Sequence, residues 1–152
     1  MLRDVYPSVQ KRWTLPEFDG LDNEFSLSSI EDEDFPLRQI LLRMVDVIRD
    51  KSEVLHVILQ PDTGSLRDMC ECRFFSEKEK KSAFELFRRV MVLVRAITEA
   101  GVRNKEENDA DVVRLVAKEW PEIREEIVPF AVKLKESWTR PTVSQESGSY
   151  LG

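Results

Sequence analysis

Apolar residues recur at helical spacing along most of this 152-residue chain, and the places where the spacing changes mark its elements. Leu37, Leu41, Met44 and Ile48 follow one another at intervals of four, three and four, with Ile40, Val45 and Val47 widening the stripe. That is the period of an amphipathic helix running at least to Asp50. Pro36 belongs in its first turn, and Asp34 is its expected cap. A second helix is predicted from Ser76, which forms a capping box with Glu79, to Gly101 as the C-terminal cap. Its stripes are Phe84, Phe87, Met91, Val94 and Leu86, Val90, Leu93, Ile97. The run VMVLV is apolar all round, so the middle of this helix belongs in the core. A third helical region opens at Asn108 or Asp109 and carries Val113, Val116, Trp120, Ile123, Ile127, Ala131, Leu134 and Trp138 on one side. The stripe keeps phase across Pro121 and Pro129, although each proline removes a hydrogen bond and crowds the preceding turn. Two or three short helices in series, or one kinked helix, would satisfy both facts.

Residues 53–75 support two readings. In one, the first helix continues through SEVLHVILQ to Pro61. In the other, VLHVILQ and LRDMCECRFF pair as a β-hairpin near 54–74, around the turn residues PDTGS. Residues 1–35 show no sustained period and read as an irregular arm with aromatic anchors Tyr6, Trp13, Phe18 and Phe25. Ser28 and Ser29 each precede an acid by three residues, a local capping arrangement. Residues 139–152 are polar and aperiodic, the pattern of a flexible tail. The expected fold is mainly α: a compact bundle of four to five helices over 36–138, with or without the hairpin, preceded by the arm.

Charge refines this picture. The net charge is −6, but residues 1–36 carry −6 by themselves, residues 76–103 carry +3 and residues 104–138 carry −3. An acidic protein is repelled by bulk nucleic acid and anionic membrane unless it presents a local basic face. The arm is expected to lie against the basic helix and neutralise it. No apolar run approaches the roughly 20 residues that span a bilayer, and the first residues lack an apolar signal segment. Two cysteines one residue apart do not make a secreted disulfide framework. A cytoplasmic protein without membrane contact is expected.

Candidate chemistry is sparse. Cys70 and Cys72 could supply half of a zinc site, but a zinc signature has two spaced pairs, and this chain has one histidine to add. Small buried hydrophobes are the commoner role for such cysteines. The stretch RDKSEVLH, with Arg49 and His56 at its ends, resembles the arginine–spacer–histidine motif of HEPN-domain ribonucleases. That resemblance implies a small all-α domain that often dimerises, with the arginine and histidine acting on the RNA backbone and Asp50 in the polar position after the arginine. On one continuous helix both side chains share a face. Lys81, Arg88 and Arg95 are seven apart and line one side of the second helix as a candidate nucleic-acid stripe. Interleaved acids and the lack of matching exposed aromatics favour a solvated, self-paired face there. No Gly-rich phosphate loop or dinucleotide fingerprint is present, and no cofactor is expected. The expected function is therefore non-catalytic: an adaptor or assembly subunit docking a protein partner, or a second copy as a homodimer. Trp13, Phe18 and Phe25 of the arm, or a helix face near Trp120 and Trp138, would make the contact. An RNA-directed role through Arg49 and His56, or through the basic stripe, is the alternative.

Overall fold

The computed structural model describes residues 1–139. Most of the expected tail, residues 140–152, lies outside the described residues. Six α-helices and one 3-10 turn carry the described chain, and no strand forms among its residues. They are α1 (Leu2–Trp13), α2 (Phe18–Phe25), the 3-10 turn Leu27–Ser29, α3 (Pro36–Leu59), α4 (Leu66–Cys72), α5 (Glu77–Arg103) and α6 (Glu106–Thr139). The mainly helical class holds. Residues 36–139 hold four helices, but α1 and α2 replace the irregular arm and bring the count to six in place of four to five, and no hairpin forms among the described residues.

The arm fails as irregular because Leu2, Tyr6, Val9 and Trp13 do recur at helical spacing, with Pro7 hiding the pattern. Leu2 and Tyr6 are fully buried, and Phe18, Leu21 and Phe25 continue the inward face on α2. Tyr6 meets the Phe18 ring edge-on at 5.1 Å and donates its hydroxyl proton to the Pro16 carbonyl at 2.6 Å. Burial raises the pKa of that hydroxyl well above its ordinary value. The serine caps expected after α2 are not made. Ser28 gives its amide to Asp22 (2.6 Å), and Ser29 bonds the Ser26 carbonyl (2.7 Å).

The hairpin fails for a local reason. Ser65 caps α4 by accepting from the Asp68 amide (3.3 Å), while the Asp68 carboxylate accepts from the Asp62 amide (3.1 Å). The turn residues thus link two helices. The stretch that seemed to alternate instead buries Asp68, Cys72 and Phe75, at spacings of four and three. α3 accordingly runs unbroken to Leu59, the residue before Gln60-Pro61.

Cap details shift as well. Pro36 opens α3, but Phe35, in the left-handed region at φ 52°, takes the cap position in place of Asp34. The Ser76–Glu79 capping box forms with both bonds at 3.1 Å. Gly101 is not the cap of α5: the helix runs on to Arg103 and ends on left-handed Asn104 (φ 53°). α6 begins at Glu106, so Asp109 lies in its first turn and is not the cap.

α6 passes both prolines as one helix. The carbonyls left without a donor belong to Ala117 and Glu125, which are half-buried and exposed. Water can serve them, while Val113, Val116, Trp120, Ile123 and Ile127 stay in the core. Burial of that stripe outweighs the two lost bonds. Its continuation does not stay inside: Leu134 is half-buried and Ala131 and Trp138 are exposed.

α3, α5 and α6 form the central triangle. α5 and α6 are an antiparallel hairpin joined at Asn104 and Lys105, with Lys133 near the end of α6 paired to Glu79 at the start of α5. His56 near the end of α3 meets Phe87 of α5 edge-on, at 5.9 Å and 86°. At the other end, Arg38 lies over Gly101, where a Cβ would come 3.1 Å from its Nη1. α3 and α5 are therefore antiparallel. No helix among the described residues is long and apolar enough to cross a membrane.

Candidate functional site

Three helices side by side leave three grooves, and their fates differ. α1 and α2 lie on the α3–α6 groove, as shown by contacts from both helices. Arg43 of α3 donates to the Ser29 hydroxyl, Arg114 of α6 donates to the Trp13 carbonyl, and Arg124 of α6 makes a two-point bond to Glu24, both arms at 3.0 Å. The α5–α6 groove is laced by charge: Arg89 pairs with Glu126 (2.7 Å) and Glu122 (3.8 Å), and Lys133 with Glu79. The Glu126 hydrogen bond raises the Arg89 pKa further, and the Lys133 hydrogen bond holds the Glu79 carboxyl below its ordinary value.

Among the described residues the α3–α5 groove has neither cover nor lacing. At its α4 end a cleft of about 480 Å³ is lined by His56, Leu59 and Gln60 of α3 and by Glu77, Lys80, Lys81, Phe84 and Phe87 of α5. Phe84 is 49% exposed. Phe87, Met91 and Leu59 are half-buried beside it and form an apolar floor. Lys81, Arg88 and Arg95 are exposed along α5, as are Arg49 and His56 along α3. Interpolating between the His56–Phe87 and Arg38–Gly101 contacts sets Arg49 at the level of residues 91–95. The acids on this side are Glu77, paired with Lys80 (3.7 Å), Glu85, paired with Arg88 (3.5 Å), and on α3 the exposed Glu53, one turn from both Arg49 and His56. The side chains of Arg49, Lys81 and Arg95 make no hydrogen bond, ion pair or ring contact among the described residues. The residues named for two separate nucleic-acid readings thus lie on one face.

Two expectations about this face need correcting. The acidic arm does not cover α5: Asp19 pairs with Arg3 (2.8 Å), Glu24 with Arg124 and Glu33 with the N-terminal amine. An exposed aromatic does accompany the basic stripe. Phe84 lies three residues after Lys81 and four before Arg88, a signal present in the helical wheel but masked by assigning Phe84 to the core.

The residues named for partner docking disperse. Phe18, Phe25 and Trp120 are buried, Trp120 completely and with its indole N–H unpartnered. They pack the interior and present no surface. Trp13 is half-buried under the Arg12 guanidinium (5.0 Å from the ring centre). It lines a second concavity of about 500 Å³ with Phe35, Leu37, Arg38 and Asp109. There the charges are matched, Arg38 to Asp109 and Arg12 to Glu106 (3.6 Å). Burial raises the Asp109 pKa and the Arg38 guanidinium opposes the rise. Trp138 is 57% exposed and donates to Glu71 at 3.0 Å, pinning the end of α6 to α4.

Cys70 and Cys72 are free thiols on α4, half-buried and buried. Two positions apart on a helix they diverge by about 200°, so they do not converge on one metal. No cluster of three metal-ligating side chains occurs among the described residues. No protein-family model, curated protein or solved structure matches the chain.

Proposed function

We propose that this protein is a non-catalytic docking module whose partner-binding site is the α3–α5 cleft. The observation that carries the reading is the exposed Phe84 on a face where Arg49, Lys81 and Arg95 have no partner among the described residues. An aromatic beside a cleft, bordered by charge, is the composition of a binding hot spot. Phe84 is outside the core, and the side chains of Arg49, Lys81 and Arg95 hold nothing together among the described residues. A pull-down of the tagged full chain from its native source, wild type against Phe84→Asp, tests the reading with and without nuclease. A stoichiometric protein that survives nuclease and is lost with Phe84→Asp is expected. A partner retained in full by Phe84→Asp contradicts it.

One observation favours a second reading. The unbroken α3 keeps Arg49 and His56 exposed on one side, as RNA cleavage by an arginine–histidine pair requires. Purified protein incubated with oligouridylate tests it: if cleavage is seen and His56→Ala leaves the rate unchanged, this reading is dead.

A further inference from the structure

Resting on the docking role proposed above, we infer that the occupant of the α3–α5 groove is an acidic amphipathic helix supplied by a protein partner. Three observations converge on it.

The first is shape. Two helices in contact, parallel or antiparallel, leave a trough that a third helix fills at the usual packing distance of about 8–10 Å. The molecule shows this solution on its own α3–α6 groove. There α1 directs Leu2, Tyr6, Val9 and Trp13, spaced four, three and four, toward the core, and cations at the edge hold the segment. The α3–α5 groove offers the same kind of floor in Leu59, Phe87 and Met91, with Phe84 standing at its α4 end.

The second is charge. Lys81, Arg88 and Arg95 recur every seven residues, about 10.5 Å apart along α5. A helix lying alongside has the same rise, so acids placed every seven residues on its flank meet each cation in turn. Arg49 lies on the side of α3 that carries His56, with the exposed Glu53 between them. The occupant is therefore expected to carry apolar residues at three- and four-residue intervals and acids at heptad spacing beside them.

The third weighs against a nucleic acid. Leu59 and Met91 give a base nothing to stack on, the exposed rings are limited to Phe84 and to His56, which already packs edge-on against Phe87, and Glu77 and Glu85 interrupt the cations along α5. The chain as a whole is at −6, which repels a polyanion beyond this one face.

The test uses the full chain and three fluorescent probes read by anisotropy. The first probe is a 22-residue helical peptide with leucines at the apolar positions and glutamates at the flanks. The second has lysines in place of the glutamates, and the third is a 20-nucleotide oligouridylate. The acidic peptide is expected to bind at least about tenfold tighter than the basic one, with the difference shrinking at high salt. Lys81→Glu combined with Arg95→Glu should abolish that preference. Both residues are exposed and unpaired among the described residues, and a circular dichroism melt verifies that the variant folds. No binding of the acidic peptide, equal binding of both peptides, or tighter binding of oligouridylate overturns the inference. So does a wild-type dimer in sedimentation that Phe84→Asp dissociates, since a second copy would then hold the groove. If the native partner is lost with Phe84→Asp but kept by the charge variant, docking stands and the acidic helix falls. If Phe84→Asp keeps the partner, both fall.

Discussion

The α3–α6 and α3–α5 grooves share a wall, yet one is filled and stitched while the other stands open. On the first, apolar residues of α1 and α2 are buried and the edge charges are matched: Arg124 with Glu24, Arg12 with Glu106, Arg38 with Asp109. On the second, Phe84 is half out of the protein and Arg49, Lys81 and Arg95 have no partner among the described residues. Both grooves are built from the same kinds of residue. The difference lies in whether the described residues supply the occupant. A groove closed from within contributes to stability, so substitutions there should be felt in folding. A groove left open contributes little, so substitutions there should be felt only in binding.

Trp120→Ala should give the largest effect. This ring at the centre of α6 is fully buried, and its removal is expected to cost about 4 kcal/mol in denaturant unfolding. Phe84→Ala, the loss of an aromatic of comparable apolar character, should cost well under half of that. Equal costs would erase the distinction between core and docking aromatic.

Arg38→Ala comes next, at about 3 kcal/mol, because it leaves the Asp109 carboxylate buried without its partner. The pH dependence has a definite sign. Asp109 already has a raised pKa in the folded protein, so the native state binds its proton more readily than the unfolded chain does. Its contribution to stability therefore grows as pH falls through the folded pKa. The deficit of Arg38→Ala should shrink on acidification, which unfolding curves between neutral and mildly acidic pH will show.

Glu79 behaves oppositely. Its pKa is lowered, chiefly by Lys133, so its contribution is present above the unfolded carboxylate pKa and is lost as pH falls toward the folded one. Ser76→Ala, which removes one half of the capping box, should cost about 1 kcal/mol. Smallest of all, Lys81→Glu with Arg95→Glu should shift stability by no more than about 0.5 kcal/mol. A larger loss would mean that the open groove is a structural element after all.

Much of this was legible in the sequence, and the misses have physical causes. The stripe of α3 and the capping box of α5 needed only periodicity and capping chemistry, since local preference and tertiary packing agree there. α1 was missed because Pro7 argues locally against a helix that the burial of Leu2 and Tyr6 sustains. The turn at Pro61–Ser65 is compatible with a hairpin or a helical link, and the choice lies with the Asp62–Asp68 bond, which no spacing rule reveals. The site was half visible. Lys81, Arg88, Arg95, Arg49 and His56 were all picked out, but as two unrelated ideas. Their convergence depends on the antiparallel pairing of α3 with α5, a tertiary fact. That the arm would choose α6 over α5 could not be read from net charges, because it turns on the placing of single arginines such as Arg114 and Arg124.

The central claim is that the α3–α5 groove, and not another face, receives the partner. A photo-crosslinking residue placed at position 84, and in a second variant at exposed Leu115 of α6, tests this in the native source. The account predicts one protein adduct from position 84 that mass spectrometry maps to an acidic helical segment, and none from position 115. Adducts from position 115 alone, or from both positions equally, would contradict it.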